Sequence, residues 1–148
     1  MNLESDLSEE EEMIRNSVRE FVQQEVKSEL SDWYQEGVFP DFLVEKFGEL
    51  GLYAPNLEGY GLPNIGERAY GLVMQELEAG DSGLRSMASV QGALCMYPIH
   101  AYGTDEQKEE YLPALADGEM VACFGLTEPE HGSEPSAMET SAKKDGDD

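Results

Sequence analysis

Arg85 is the only basic residue between Arg68 and Lys108, and it stands in Glu78-Ala79-Gly80-Asp81-Ser82-Gly83-Leu84-Arg85-Ser86, near the start of the least charged helical stretch. An isolated cation in that setting needs an anionic partner. Two arrangements supply one: an internal ion pair with Glu78 or Asp81, or a clamp for a ligand carboxylate, which a planar guanidinium orients more firmly than a lysine. A second group of residues lies at Met120 to Ser133. Met120 to Phe124 is a short apolar run after Gly118, and it gives way to Gly125, Leu126, Thr127, Glu128, Pro129, Gly132 and Ser133. The run has the length and composition of a buried strand. A strand end of this kind exposes backbone N–H groups, a hydroxyl and glycines that let a ligand approach closely. A strand and a plain polar turn is the structural alternative.

Other chemistries find little support. His100 and His131 are the only histidines, and His131 lies among Glu128, Glu130 and Glu134. Their spacing matches no usual zinc pattern, and no metal site is assigned. Asp145-Gly146-Asp147-Asp148 lacks the later ligands of a calcium loop. The chain has no Gly-Lys-Ser phosphate loop, no GxGxxG and no serine elbow. Cys95, in a predicted helix, and Cys123, in the predicted strand, are expected to be small buried side chains rather than a disulfide framework.

The elements that must position these residues are mostly helical. Ser8-Glu9-Glu10-Glu11 is a capping box, and Ile14, Val18, Phe21, Val22 and Val26 then give one apolar face to about Leu30. Gly37 and Pro40 break the pattern before a second helix near Asp41 to Leu50, with Phe42, Leu43, Phe47 and Leu50 inward. Asn56 to Gly66 has loop chemistry with apolar anchors. A third helix covers about Glu67 to Ala79, with Ala69, Leu72, Val73 and Leu77 on one face. The fourth runs from Gly83 to about Tyr102, with Leu84, Met87, Ala88, Leu94 and Cys95 in a stretch unusually free of charge, as expected of the central helix of a bundle, and a kink or break at Pro98. Thr104-Asp105-Glu106-Gln107 opens a fifth helix that carries Tyr111, Leu112 and Leu115 to Gly118. A strand at Met120 to Phe124 and another at Glu139 to Ala142 are predicted next, and Asp145-Gly146 is a hairpin signal with no return strand after it. The chain is therefore expected to stop inside a domain.

The 148 residues carry 32 Asp and Glu against 9 Lys and Arg, a formal net charge of −23. That balance repels phosphate backbones and anionic lipid, so neither nucleic acid nor membrane is an expected partner. No apolar run approaches the ~20 residues that span a bilayer, and the acidic N-terminus has no secretory pattern, so a cytoplasmic location is expected. The acids are spread from end to end, and 40% of residues are hydrophobic, which points to a folded acidic surface. Self-repulsion of this size suits a salt-rich cytoplasm, where it is screened.

Two segments together resemble the acyl-CoA dehydrogenase family, most closely its glutaryl-CoA branch. One runs through Glu76-Leu77-Glu78, Asp81-Ser82-Gly83, Arg85-Ser86, Ser89-Val90-Gln91 and Pro98-Ile99 to Tyr111-Leu112-Pro113; the other is Cys123-Phe124-Gly125-Leu126-Thr127-Glu128-Pro129 with Gly132-Ser133. The resemblance implies a mainly α chain: an N-terminal helical bundle domain over 1–118, then the first strands of an incomplete middle β domain over 119–148. It also implies FAD as cofactor, along Phe124, Gly125, Leu126, Thr127, Glu128, Pro129, Gly132 and Ser133. Leu126 and Thr127 would meet the flavin ring, and Ser133 the diphosphate and acyl-CoA. Arg85 would hold the distal carboxylate of a glutaryl chain, with Ser86 beside it and Glu78 tuning the arginine. Members dehydrogenate acyl-CoA thioesters between the α and β carbons, glutaryl members then decarboxylate, and electrons leave through an electron-transfer flavoprotein. The complete enzymes are homotetramers whose catalytic glutamate lies in a C-terminal domain, so no residue here takes that role and turnover is not expected without a complementary C-terminal chain. Glu130, His131 and Glu134 depart from the family's usual residues at those positions. A non-catalytic acidic helical interaction module, or an inactive gene remnant, is the alternative reading.

Overall fold

The computed structural model describes residues 6–146. The helices are α1 (Glu9–Phe21), α2 (Leu30–Glu36), α3 (Phe42–Glu49), α4 (Gly66–Gly80), α5 (Ser82–Ser89), α6 (Tyr97–Tyr102) and α7 (Asp105–Ala116). Both predicted capping boxes are formed. Ser8 accepts from the Glu11 amide while Glu11 accepts from the Ser8 amide, and Thr104 and Gln107 do the same at the start of α7. The helical class read from the sequence is therefore borne out in its main lines.

The core gathers Val18, Phe21, Val22 and Val26 with Leu43 and Phe47 of α3, Val73 and Leu77 of α4, and Leu112 and Leu115 of α7. Phe21 meets Phe47 edge-on at 5.9 Å between ring centroids, a favoured aromatic geometry. Tyr53 is also buried here; its hydroxyl donates to the Val44 carbonyl, and burial pushes its pKa up to about 12. Where α7 ends, its backbone lies against α3 with no room for side chains. A Cβ on Gly48 would stand 2.1 Å from the Asp117 carbonyl oxygen, and one on Gly118, at φ +75°, would stand 2.5 Å from that of Val44.

Several expectations are corrected. The first helix does not run unbroken to Leu30. It passes into a π-helical stretch at Val22–Val26, a turn follows, and α2 begins at Leu30. Helix α2 buries no residue fully, so no apolar stripe announced it. The fourth predicted helix is α5, a π-helical stretch at Val90–Met96, and α6 in uninterrupted succession. The Tyr97 amide reaches back five residues to the Gly92 carbonyl, and this wider register absorbs Pro98 without a break. The same widening turns Leu94 outward, 45% exposed, while Cys95 and Met96 are buried. Phe42 and Leu50, at the two ends of α3, are exposed as well, and Phe42 instead packs edge-on to Trp33.

The Asn56–Gly66 loop holds a minimal antiparallel hairpin, β1 (Glu58–Gly59) and β2 (Leu62–Pro63). Its two central residues, Tyr60 and Gly61, have φ of 54° and 83°, the left-handed pair that a tight two-residue turn requires. His100 Nε2 lies 2.8 Å from the Glu58 carbonyl oxygen, so this histidine braces the hairpin. No strand forms at Met120–Phe124 or Glu139–Ala142, because neither has a ladder partner among the described residues. Residues 135–137 form one turn of 3₁₀ helix. Asp147 and Asp148, the end of the predicted Asp-Gly turn, lie outside the described residues. No helix among the described residues is long and apolar enough to cross a membrane.

Glu76 of α4 is 5% exposed and takes a two-pronged ion pair from Arg19 of α1, Nε at 2.9 Å and Nη2 at 2.7 Å. Removing a partner of a buried carboxylate exposes its desolvation cost. Arg19→Ala is expected to lower stability by about 2 kcal/mol, and adding Glu76→Leu to recover part of the loss. Chemical denaturation of the two variants at constant salt checks this; a single variant as stable as the parent would refute it.

Candidate functional site

Asp81 starts α5 by accepting from the Leu84 amide at 3.1 Å, and its second oxygen takes the Tyr34 hydroxyl at 2.7 Å. Both its oxygens are thereby occupied, and Arg85 receives only its main-chain carbonyl. The ion-pair partner of Arg85 is Glu78, with Nε to Oε2 at 2.6 Å across the α4–α5 corner. Arg85 Nη1 also reaches Ser89 Oγ at 3.4 Å, one turn along its own helix. The Arg85 side chain is about one-third exposed and Glu78 half-exposed, with Glu78 holding the Nε edge of the guanidinium. Tyr70 lies near enough for the arginine's charge to act on it: burial and the Glu67 charge raise its pKa, and Arg85 opposes the shift. Ser86 is partly buried, next in sequence to the arginine. The outcome is a braced cation with donors left over, the requirement for seating a further carboxylate.

The second group of residues leaves the helical body as extended chain. What fixes it is Gln91, 2% exposed in the π-helical stretch. Its Nε2 donates to the carbonyls of Leu115, at 2.8 Å, and Met120, at 2.9 Å, while its Oε1 accepts from the Ala122 amide at 3.0 Å. One side-chain amide thus does for this segment what a neighbouring strand does in a sheet. The sequence marked Gln91 only within a motif. A glutamine amid apolar helix residues was the available signal, since a buried amide must find partners.

Beyond Ala122 the chain turns outward. Cys123 is exposed, contrary to the expectation of burial, because the neighbouring Ala122 faces the helices. Cys95 is buried, and burial followed by the nearby Cys123 pushes its thiol pKa up. Phe124 is 48% exposed and Leu126 38%, two apolar side chains on the surface within one short segment. The amides of Phe124, Gly125 and Thr127 donate to no group among the described residues. Pro129, Gly132 and Ser133 are exposed, and the space around Gly132 is open but for the Thr127 methyl.

Glu128 behaves differently from its neighbours. Its main chain closes a turn with His131, N–H to carbonyl in both directions at 3.2 Å. Its carboxylate turns back into the chain, taking the amides of Glu139 and Thr140 at 2.9 and 2.8 Å and the Thr140 hydroxyl in a short bond. The side chain is committed to shaping the loop. No hydrogen bond or ion pair joins Arg85 or Ser86 to residues 124–133 among the described residues; the two groups share only the helix that carries Arg85 and Gln91. No cluster of three or more potential metal ligands occurs among the described residues.

Bonds from Thr140 and the two amides hold the Glu128 carboxyl below its ordinary pKa of 4.5. A depressed folded pKa means that loop closure is fully supported above about 4.5 and lost as pH falls through the lower folded value. NMR amide shifts of Glu139 and Thr140 are expected to move together in that acidic window and to sit at their acid limit at neutral pH in Glu128→Gln. Shifts insensitive to both changes would dismiss the carboxylate as the latch.

The family described as acyl-CoA dehydrogenase, N-terminal domain, matches residues 8–119. The mitochondrial short-chain specific acyl-CoA dehydrogenase of Bos taurus is 36% identical over 146 residues, 96% of this chain and 35% of that protein. The glutaryl-CoA dehydrogenase of Desulfococcus multivorans is 34% identical over 149 residues, 98% of this chain and 38% of that one. A crystal structure of a glutaryl-CoA dehydrogenase from Mycobacterium smegmatis in complex with FADH2 matches with a TM-score of 0.93 at 45% identity, covering 98% of this chain and 38% of that chain. The chain thus spans little more than a third of the length of the curated relatives it matches. With the family match running from the first capping box to the end of α7, the chain belongs to the acyl-CoA dehydrogenase family and carries its N-terminal helical domain.

Proposed function

We propose that this chain forms one wall of the active site of an FAD-dependent acyl-CoA dehydrogenase of the glutaryl type. The observation that carries the substrate assignment is the Arg85–Glu78 pair: a partly exposed cation braced at Nε by Glu78, with guanidinium donors left over. A monocarboxylic acyl chain offers nothing for such a group to bind, and desolvating it against a methyl end would be unfavourable. A dicarboxylic acyl chain supplies the matching anion. Arg85 holds its distal carboxylate, Glu78 fixes the plane of the guanidinium, and Ser86 offers a hydroxyl beside it.

The residues present also fit a flavin. Phe124 and Leu126 give apolar surface for a ring system, the unengaged amides of Phe124, Gly125 and Thr127 can meet its polar rim, and Gly132 and Ser133 allow close approach by a diphosphate. Bound FAD would supply a hydride acceptor for the carbon β to the thioester. Pro129 and the main chain of Glu128 hold the wall's shape, while the Glu128 carboxylate stays with Thr140, away from the diphosphate it would repel. No acid of this chain is assigned as the base. That group, the β domain of which 119–148 would be the start, and the homotetramer contacts belong to the remaining length of the family's enzymes, in the same polypeptide or in a complementary chain. An electron-transfer flavoprotein is the proposed electron acceptor.

Two measurements test this. In the enzyme completed by that remaining length, Arg85→Ala is expected to lower kcat/KM for glutaryl-CoA by about 10²-fold, the worth of a lost charge-assisted hydrogen bond, and to change butyryl-CoA by only a few-fold. An unchanged glutaryl preference would remove Arg85 from the site. The −23 net charge is proposed as an adaptation to salt. The melting temperature of the chain is expected to fall on dialysis from 1 M salt, where the Debye length is ~3 Å, into dilute buffer, and a constant value would contradict the adaptation.

A further inference from the structure

We infer that Gln91 is a positioning residue that fixes the flavin-facing stretch in register with the carboxylate clamp; this rests on the reading of Arg85 and residues 124–127 given above. The argument starts from what an extended segment needs on leaving a helical body. Its inward backbone groups must be paired, and no strand among the described residues lies beside it. Gln91 meets two carbonyls and one amide with a single side chain, a task that needs both donor and acceptor and therefore suits an amide. A glutamate would keep the acceptor for Ala122 and set its charge against the two carbonyls; a leucine would fill the space and pair nothing.

Placement on the helix gives the contact its functional meaning. Arg85 and Gln91 are six residues apart on one continuous helical run, about 9 Å along the axis at the usual rise. The clamp at one end fixes the far end of the acyl chain, and the tether at the other fixes the start of the wall that meets the flavin. The distance between them is thus built into a rigid element rather than a loop. It decides which chain length brings the reacting carbon to the ring, and a displacement of about 1 Å in such an arrangement can cost a hundredfold in rate. Gln91 touches neither ligand in this assignment and acts through residues 120–127.

The test has two arms. In the chain itself, hydrogen exchange at the paired Met120 and Ala122 amides is expected to rise at least tenfold in Gln91→Leu, and less at Ala122 in Gln91→Glu, which keeps its acceptor, with α1 and α4 within twofold of the parent. Unchanged exchange at these two amides, or an equal rise everywhere, overturns the tether. In the completed enzyme, Gln91→Leu is expected to weaken FAD binding at least tenfold and to lower kcat for glutaryl-CoA with KM changed only a few-fold. Local release without loss of FAD affinity or kcat overturns the positioning role. A completed parent enzyme that binds no FAD refutes the flavin reading itself, while the exchange result still decides the tether.

Discussion

The side chain of Gln91 is the interaction on which the architecture of the site depends. Helices pair their own backbone groups, but an extended segment does not, and a segment lying against a helix rather than a strand has no ladder to join. Three hydrogen bonds from one buried amide solve that problem here, and they join the end of α7, the segment after it and the π-helical stretch at one point. The wider π register belongs to the same solution. It rotates the helix so that Gln91, Gly92, Cys95 and Met96 are all buried and Leu94 is not. Gly92 then fits against the backbone of Ala54, where a Cβ would lie 2.8 Å from its nitrogen. This stretch of helix is thus held on one side by a close backbone approach and on the other by the buried Gln91 side chain.

Charge is distributed with the same economy. With nine cations against 32 acids, few pairs are available, and two of them use carboxylates of α4. Glu76 and Glu78 are two residues apart, close to opposite faces of a helix with 3.6 residues per turn. One therefore meets Arg19 of α1 and the other Arg85 of α5, so a single helix ties the bundle on one side and braces Arg85 on the other. The two pairs differ in burial. Glu76 is almost enclosed, and its pair is a structural contact; Glu78 is half-exposed, and its arginine keeps contact with solvent. The difference between the pairs therefore lies in the carboxylate, since Arg19 and Arg85 are both partly exposed, at 44% and 36%.

What could be read from the sequence follows from how local each signal is. Capping boxes are encoded within four residues, and both formed as written. The apolar faces of α1 and α4 repeat at helical spacing, and their buried residues were largely identified in advance. Register is harder to read, because an apolar stripe wide enough to face a core also accommodates the extra residue of a π turn, and so nothing local marks Leu94 as the apolar residue that faces out. Burial of polar groups was illegible for a different reason. Glu76 and Gln91 are inside only because Arg19, 57 residues away, and the Leu115 to Ala122 segment bring partners to them. The strands expected at 120–124 and 139–142 are absent among the described residues, where no partner strand lies beside either stretch.

The same distinction separates the two candidate groups in the site. Arg85 could be singled out from composition because an isolated cation in an apolar helix demands a partner wherever the chain folds, and both readings of it, ion pair and clamp, named Glu78 or an anion. The stretch 124–133 carried no such demand. Its side chains are ordinary, and what makes it a surface of interest is that Phe124 and Leu126 remain exposed while amides between them stay unengaged. In a terminal tail such features would mean little, since a mobile chain satisfies its amides with water. Here the segment is anchored to the helical body at Met120 and Ala122, and beyond the exposed stretch Glu128 closes a loop onto Glu139 and Thr140 of the same segment. An anchor two residues before Phe124 shortens the stretch that must be ordered when a planar polar ring binds, and so lowers the entropic cost of that binding.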